Sequence, residues 1–536
     1  MLEVPKVLER RAVRYGAALA LLIVFIALSR SFGATWDERA LQALGEQVWD
    51  YFRGRRSYSE IDVTFGYTRI YGTMVEVLSV AAQRALPFDL YVVRHAVNSV
   101  FGWAGVVSAF LMARRLFGER AGWLAAALLL CMPRYVGDSM NNTKDLPFAI
   151  LMLVAFYYIV TVKPRYPYVA WGHALKLAIA IALALNVRSM GLVLLGYTGV
   201  ALALSVIASR DFSAARLAAT AGRFAVIVLV GLVAGTAFWP WAQRQPLVRP
   251  FEAFFMASGF SWGNPSLFAG RNIPSAELPW YYLPTWLAIS LPLVVLVGAL
   301  LSMAQLWRTE DPLESRVRLV ALWAFVLIPG VYVIVRHLTL YDGIRHMYFL
   351  VPPLAVIAAA GWDRMLTSSR RQVAFAAAAA LAIGLAEPVV FQIRNHPNQT
   401  VYFSPIVGGP RGAFGSYDMD YWGNCVLEAV RWSAEQAERA RMPVVITANA
   451  WEVAVVDALR FQSLAFRLQR HGYAHLDIRL LKGSRADVLG TSGNPDIVHR
   501  VTTADGTSLC VVMPGPEYPQ LAERLARSLP AATAAR

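Results

Sequence analysis

The chain has 536 residues, of which 57% are hydrophobic and 16% charged, and its mean hydropathy is +0.46. Soluble domains are nearer to about 45–50% apolar and about 25% charged, so the composition excludes a soluble globular enzyme and a disordered chain. Only three cysteines are present, too few for a disulfide scaffold. The net charge of +15 comes from basic residues that stand between apolar runs, which is typical of the loops of a multi-span membrane protein and not of a nucleic-acid-binding surface.

Apolar runs long enough to cross a bilayer as helices recur along the chain. The stretch 177–209 carries one charge, Arg188, and as a single helix it would be about 50 Å long, well beyond a hydrocarbon core of about 30 Å. We therefore predict two short spans there, broken near 186–189. The other predicted spans bring the total to about eleven. They lie near 14–32, 90–113, 121–136, 147–162, 222–239, 284–304, 318–336, 347–362 and 373–391.

The basic loops predict the orientation in the membrane. If 177–209 crosses twice, six basic segments fall on one side, and the positive-inside rule makes that side the cytoplasm. These segments are 1–14, 114–120, 163–176, 210–223, 308–318 and 364–371. The N-terminus is then cytoplasmic, and an odd number of spans places the C-terminus outside. The first apolar run has no convincing cleavage site, and we interpret it as a retained span.

Three outer regions are large, and one of them, 240–283, is rich in aromatic residues and proline, as expected at a membrane interface. The first outer loop, 33–88, contains two partly apolar stretches at 36–52 and 70–86, which are predicted to lie as helices in the membrane interface. The tail, 392–536, alternates strand-like and helix-like runs, which predicts a small α/β domain outside the membrane. The chain is thus predicted to divide into a membrane domain, 1–391, and this tail.

Two acidic residues follow the first span almost at once, in Thr35-Trp36-Asp37-Glu38. One interpretation is a helix start, in which Thr35 caps the helix and both acids interact with its dipole. The other is a general base at the membrane surface, because a partly desolvated carboxylate near an arginine can take a proton from a hydroxyl group. The sequence leaves both interpretations open.

Two further motifs place charges near the outer surface. Lys144 and Asp145 lie in the short outer loop between the third and fourth spans, either in a turn before a helix that begins near Pro147 or as a pair that binds phosphate and substrate. Arg188 lies at the tip of the two short spans. There it either extends to the interface or binds a phosphate bidentately.

The last motif, 341–348, opens the tenth span from outside and contains Arg345 and His346. It is either an interface anchor with a turn or an anion site at a helix start. All four motifs lie near one membrane depth on the outer side. We therefore expect residues 37, 145, 188 and 345 to surround one cavity.

These motifs resemble those of the GT-C glycosyltransferases, in particular the bacterial protein O-mannosyltransferase and aminoarabinose-transferase-like enzymes. The resemblance covers about 1–390. It rests on Trp36-Asp37-Glu38, Ala113–Gly118, Asn141–Phe148 and Asp342–His346, with Tyr71-Gly72 as a further family position. It implies a polytopic α-helical membrane fold of about eleven transmembrane helices, with interfacial helices in the first outer loop and a small C-terminal α/β periplasmic domain.

The resemblance also implies a function, namely transfer of a sugar from a polyprenyl phosphate to a lipid, glycan or protein acceptor. Asp37 would be the base of an inverting reaction, and Glu38 and Asp145 would orient it or the acceptor. The departing phosphate would be held by Lys144, Arg188, Arg345, His346 and Tyr71. Some enzymes of this class use a divalent cation, which two carboxylates could hold, although no ligand spacing here requires one.

The expected location is a bacterial inner membrane, with membrane lipids as surroundings and no nucleic-acid partner. A multi-span transporter or flippase of a lipid-linked or anionic substrate is the alternative, because intramembrane charges and broken helices also mark transport paths. The sequence shows no inverted repeat and few mid-span charges, which disfavours it. A carrier-binding scaffold without chemistry is a third interpretation. In an oxidising compartment, Cys425 and Cys510 of the tail could pair.

Overall fold

The computed structural model describes residues 11–64, 69–162, 169–307, 313–467 and 473–528. Within these ranges, seven helices are long and apolar enough to cross a membrane, or up to nine if each of two bent pairs counts as one span. Parts of three predicted basic segments, and the last residues of the tail, lie outside the described residues. They are 1–10, 163–168, 308–312 and 529–536.

The helices up to residue 394 form the membrane part of the chain, which also includes a short hairpin. The helices are α1 Arg11–Ser29, α2 Glu38–Phe52, α3 Tyr58–Thr64, α4 Met74–Ala85, α5 Leu90–Phe117, α6 Glu119–Leu130, α7 Pro133–Asn141, α8 Asp145–Val160, α9 Trp171–Leu185, α10 Val193–Ser209, α11 Ala214–Gly235, α12 Pro240–Gln243, α13 Arg249–Ser258, α14 Tyr282–Ser290, α15 Leu293–Leu306, α16 Leu313–Val335, α17 Val351–Leu366 and α18 Arg371–Arg394. The hairpin, between α13 and α14, is β1 Pro265–Phe268 with β2 Arg271–Pro274. Two 3₁₀ turns, Ser189–Leu192 and Arg345–Leu350, lead into α10 and α17.

The predicted spans fall on helices, but two of them are interrupted. The run 121–136 is not one helix, because α6 ends at Leu130 and α7 begins at Pro133, a residue that fits the first turn of a helix but not its interior. With 12 residues, α6 is about 18 Å long and too short to cross a membrane alone. The run 284–304 bends by 118° between α14 and α15. The count by length and composition is therefore lower than eleven.

The predicted break in 177–209 is confirmed. Asn186 ends α9, and its side-chain amide donates to the carbonyl of Ala234 (2.8 Å) and accepts from the N–H of Phe238 (2.8 Å). Gly72 of the first outer loop packs on the same backbone, since a Cβ there would lie 2.1 Å from the Asn186 carbonyl oxygen. These contacts pair backbone groups at the end of α11 and place Arg188 beside the first outer loop.

The most deeply buried of the candidate spans is Arg345–Leu366. Its helix α17 packs against α5, α6 and α15. The crossing with α15 is close, because a Cβ on Gly361 would lie 2.0 Å from the carbonyl oxygen of Gly298. Small residues at such crossings let helix backbones approach in a membrane protein. The span that carries Arg345 is therefore fixed in the middle of the helix bundle.

The tail forms a five-stranded mixed sheet with helices, and the predicted α/β fold is confirmed. Its elements are α19 Gly409–Ala413, α20 Cys425–Ala440, β3 Val444–Ala448, α21 Trp451–Ala458, β4 Leu464–Phe466, β5 Leu476–Leu480, α22 Arg485–Thr491, β6 His499–Thr502, β7 Ser508–Pro514 and α23 Tyr518–Ser528. The strand order is β4-β3-β5-β7-β6, with β3 parallel to β4 and β5 and the other pairs antiparallel. A disulfide joins Cys425 of α20 to Cys510 of β7, as predicted.

Candidate functional site

Asp37 immediately precedes α2 and is its N-cap residue. The predicted Thr35 cap is wrong, because no side chain caps this helix end. Instead the carboxylate of Glu38 folds back and accepts the backbone N–H of Thr35 at 2.8 Å. The loop before the helix is thereby closed on itself next to Asp37.

The same loop is held from outside by two side chains that are distant in the sequence. Asn141 donates its amide to the carbonyl of Gly33 at 3.0 Å, and Asp457 of the tail accepts the N–H of Ala34 at 3.2 Å. Gly33 has room for no side chain, since a Cβ would lie 2.9 Å from Leu427. The backbone that leads to Asp37 is therefore fixed between the membrane part and the tail.

The second motif lies where α7 and α8 meet at an angle of 110°. Asp145 is the first residue of α8, and its backbone N–H donates to the side-chain oxygen of Asn142 at 3.0 Å. This turn fixes the direction of the Asp145 carboxylate, which is fully buried. Lys144 stands at the preceding position and is itself buried.

The motif 341–348 places Arg345 after a tight reversal of the chain. Asp342 and Gly343 both have positive φ angles, 53° and 72°, a conformation that glycine adopts freely and aspartate tolerates. The N–H of Gly343 donates to the hydroxyl oxygen of Tyr282 at 3.2 Å. The reversal directs Arg345 back toward Asp37 and Asp145.

The four motifs converge as expected from the sequence, but their charged side chains, which were expected to surround a cavity, pair directly with one another in a cluster centred on Arg345. Its Nε lies 3.1 Å from Asp145 Oδ2, its Nη1 lies 3.4 Å from Asp342 Oδ2, and its Nη2 donates to Asp37. Arg188 Nη1 lies 2.7 Å from the other oxygen of Asp145. Asp145 thus links two arginines, whereas Asp37, with 33% of its side chain exposed, is the most accessible carboxylate of the cluster.

Tyr71 contacts Lys144, which was also predicted to bind phosphate, and connects it to the cluster. Its backbone pairs with that of Arg188 in an isolated antiparallel bridge, and Lys144 Nζ lies 3.4 Å from the centre of its ring. A cation over an aromatic face is attracted by the ring quadrupole. Burial raises the pKa of the Tyr71 hydroxyl, but Lys144 and Arg188 lower it more, and the net shift is downward. His346 lies at the edge of the cluster with its ring 4.3 Å from that of Tyr341.

The pKa values of the two more exposed carboxylates of the cluster, Asp37 and Asp342, are shifted in opposite directions. Burial opposes ionisation of Asp37, but Arg345 and Lys144 outweigh it, and the pKa of this carboxyl lies below its usual range. Burial raises the pKa of Asp342, and the opposing effects of Arg345 and Lys482 do not cancel it. Asp37 therefore enters any reaction as a carboxylate.

Glu38 makes a separate set of buried contacts. Its carboxylate lies 3.1 Å from His95 Nε2 and 3.5 Å from Arg94 Nε, and the side chains of all three are at most 1% exposed. Burial opposes its ionisation, but His95 and Arg94 outweigh that effect, so the pKa of Glu38 is lowered. Arg94 also donates to the hydroxyl of Thr143 at 3.0 Å. Glu38 thus connects the loop before Asp37 to the residue before Lys144, without a contact to Arg345.

Trp422 is a cluster residue that sequence reasoning missed. The guanidinium of Arg345 lies over its ring, 4.6 Å from the centre, and its indole N–H donates to Asp138 at 2.9 Å. Trp422 lies in the tail, outside the motifs from which the site was predicted. The sequence signal at this position is a tryptophan that directly precedes a glycine.

The carboxylates of the cluster do not fit a divalent cation, because Asp37 and Asp145 are both paired with Arg345. Among the residues that the structure describes, no group of three or more His, Cys, Asp or Glu side chains is arranged to hold a metal ion.

Comparisons with known proteins support the helical membrane fold that the motifs indicated. Residues 92–241 match the protein-family model described as dolichyl-phosphate-mannose-protein mannosyltransferase. The fold is similar to the crystal structure of ArnT from Cupriavidus metallidurans in the apo state, with 13% identity, a TM-score of 0.50 and coverage of 94% of this chain and 98% of that chain. No curated protein matches the chain.

Two further solved structures are similar at lower scores. ArnT from Cupriavidus metallidurans bound to undecaprenyl phosphate has 14% identity, a TM-score of 0.48 and coverage of 94% of this chain and 98% of that chain. The apo oligosaccharyltransferase of Archaeoglobus fulgidus has 11% identity, a TM-score of 0.42 and coverage of 82% of this chain and 63% of that chain.

Proposed function

We propose that the protein is an integral-membrane glycosyltransferase that transfers a sugar from a polyprenyl-phosphate carrier to an acceptor on the periplasmic side of a bacterial inner membrane. The observation that carries the proposal is the cluster, in which Arg188 and Arg345 hold the buried carboxylate of Asp145 and the more accessible Asp37 is paired with Arg345. Lys144 lies beside them over the ring of Tyr71. The family-model match of residues 92–241 supports the same class of reaction.

The three cations suit a phosphate group. Guanidinium groups bind phosphate oxygens bidentately, and an ammonium group binds them as a point charge. In the structure Arg345 is shared among carboxylates, and Asp37 is the most exposed of them, at 33% against 0% for Asp145 and 20% for Asp342. A donor phosphate would therefore replace Asp37 on Arg345 more readily than it would replace the other two.

Asp37 is the proposed base. It is ionised at neutral pH because its pKa is lowered, and loss of Arg345 to a phosphate would make it a stronger base. The acceptor hydroxyl oxygen attacks the anomeric carbon, its proton goes to Asp37, and the bond from that carbon to the phosphate oxygen breaks. The polyprenyl phosphate leaves with the bonding electrons, stabilised by the cations, and in-line attack inverts the anomeric configuration.

Glu38 is proposed as a positioning residue, since it holds the loop before Asp37 through Thr35 and contacts Arg94 and His95. The division into a membrane domain, 1–391, and a periplasmic tail, 392–536, and the cytoplasmic N-terminus belong to the same proposal. The charge pattern of the loops supports this orientation.

The decisive test is Asp37→Asn, with Asp50→Asn on the same helix α2 as the matched control. Mass spectrometry of envelope glycolipids and glycans should show the transferred sugar in cells that produce the wild-type or the Asp50→Asn protein, and not with Asp37→Asn. Purified Asp37→Asn should still fold and bind undecaprenyl phosphate, because the three cations remain.

Normal transfer by Asp37→Asn would remove Asp37 as the base. Movement of a lipid-linked substrate across the membrane by wild-type protein, with no new glycosidic bond, would support the transporter instead. Carrier binding with no change in any envelope glycan on removal of the protein would support the scaffold.

A further inference from the structure

A cavity of about 340 Å³ lies next to the charged cluster, where the membrane part meets the tail. Its wall consists of Trp36 from the first outer loop, the hairpin β1–β2, Asp418, and the tail residues around the end of β5. Sites for small molecules have volumes of about 300–1,000 Å³, so the cavity is large enough for a compact ligand.

Some polar groups of the wall are already used by the protein. The side-chain amide of Asn449 donates to the carbonyl of Leu480 at 3.0 Å and accepts its N–H at 2.8 Å. Ser484 and Asp487 form the capping box of α22. These groups shape the cavity and have little capacity left for a ligand.

Three other polar side chains of the wall retain that capacity. Within the part of the chain that the structure describes, the side chains of Asn272 and Lys482 make no hydrogen bond, and Asp418 accepts only the N–H of Leu267, at 3.2 Å. The Lys482 ammonium lies 5.8 Å from the centre of the Trp36 ring. The cavity thus offers a carboxyl group, an amide and an ammonium beside an aromatic face.

The cavity is connected to the candidate base in two ways. Trp36 directly precedes Asp37 in the chain. Asp342 pairs with Arg345 of the cluster at 3.4 Å and interacts electrostatically with both Lys482 and Asp418 of the cavity. The cavity therefore borders the loop and the charged residues that hold Asp37.

We propose that this cavity binds an uncharged sugar unit of the acceptor and presents one of its hydroxyl groups to Asp37, an inference that rests on the proposed function. The C–H face of a pyranose ring suits the indole of Trp36, and its hydroxyl groups suit Asp418, Asn272 and Lys482. Each of these side chains has hydrogen-bonding capacity left for a sugar hydroxyl group.

Two other acceptor chemistries fit less well. A phosphate-bearing group would meet two carboxylates, Asp418 and Asp487, against one ammonium, Lys482. A serine or threonine side chain of a protein acceptor would fill little of the 340 Å³ and would leave the three polar side chains without partners. The cavity therefore favours a carbohydrate acceptor, whether it is part of a glycan or of a glycolipid headgroup.

Saturation-transfer NMR with the full-length protein in nanodiscs tests the proposal directly. The probes are the methyl pyranosides of glucose, galactose and mannose. We expect at least one of them to bind, and Asp418→Asn and Asn272→Ala each to weaken its affinity by about tenfold, the effect of losing one good hydrogen bond. Asp496→Asn, which changes an exposed carboxylate elsewhere in the tail, is the matched control and should bind as the wild type does.

Two results would overturn the proposal. One is that no glycoside binds, or that the cavity variants bind it unchanged. The other is that an acetylated Ser-Thr peptide binds in place of the glycosides and loses affinity in the cavity variants. Asn272 lies exposed on the hairpin, so its variant remains informative if Asp418→Asn does not fold.

The proposed function is measured separately on the same samples. The cavity variants should retain wild-type binding of undecaprenyl phosphate, since they leave the cations of the cluster in place. Failure of the wild-type protein to bind this carrier would contradict the proposed function. If the wild-type protein binds the carrier but no glycoside, only the proposal of an acceptor cavity is contradicted.

Discussion

Arg345→Ala removes the side chain on which the whole cluster is centred. In the proposed reaction Arg345 binds the donor phosphate, and a hydrogen bond to a charged group contributes about 1.5–3 kcal/mol. Its loss should therefore weaken donor binding by about 10- to 150-fold. Turnover at saturating donor should fall less, because Lys144 and Arg188 remain beside the phosphate.

The structure also predicts how much stability this variant loses. Breaking a fully buried ion pair costs about 3–5 kcal/mol when the remaining charge has no partner. Without Arg345, Asp145 still has Arg188 as a partner at 2.7 Å, and 33% of the Asp37 side chain is already exposed to solvent. We therefore expect Arg345→Ala to lose less than about 3 kcal/mol and to remain folded.

The assay is undecaprenyl phosphate binding by native mass spectrometry, followed by the donor KM and kcat of transfer. Arg345→Lys keeps the charge but not the planar fork, so its donor affinity should lie between those of wild type and Arg345→Ala. Arg394→Ala, which removes an exposed arginine at the end of α18, is the control and should change neither value. Unchanged carrier binding and donor KM in Arg345→Ala, in a folded protein, would refute a phosphate-binding role.

The remaining predictions concern two buried carboxylates. Glu38→Gln should lower the free energy of unfolding by about 3–5 kcal/mol, because the buried Arg94 and His95 lose the carboxylate that contacts both of them. Asp37→Asn should change this free energy little. Denaturant unfolding measures both variants, and a Glu38→Gln protein of normal stability without turnover would instead make Glu38 a reacting group. Burial raises the pKa of Asp457 to about 6, so the stability that its proton supplies is present at acid pH and lost as the pH rises through 6. The stability of Asp457→Asn relative to wild type should therefore increase by about 2–3 kcal/mol between pH 4 and pH 8, and a difference that is independent of pH in thermal unfolding would contradict this account.

Much of the fold could be predicted because lipid imposes strict rules on sequence. A charge at bilayer depth is costly, so the single Arg188 within 177–209 marked a break that the structure confirms. The alternation of strand-like and helix-like runs likewise predicted the α/β fold of the tail. The interruption at Pro133 was not predicted, although a proline is unsuited to a helix interior, because the predicted span was drawn from hydropathy alone.

The site was partly predictable for the same physical reason. Asp37, Asp145, Arg188 and Arg345 were found because charged residues at the ends of spans need partners or a function. Their pairing was expected only as a group, since the sequence does not specify which carboxylate meets which arginine. The contact of Trp422 with Arg345 could not be predicted, because it joins the tail to the tenth predicted span and no local sequence pattern specifies such a tertiary contact.

The position of Trp422 has a consequence for biogenesis. It follows α18 and is therefore synthesised after the membrane-spanning helices that the structure describes. Until its indole reaches Asp138, the Arg345 guanidinium lacks its contact with this ring. Premature termination before residue 422 would thus yield a chain that has the membrane helices but not this contact, so the charged cluster is completed only when the tail folds onto them.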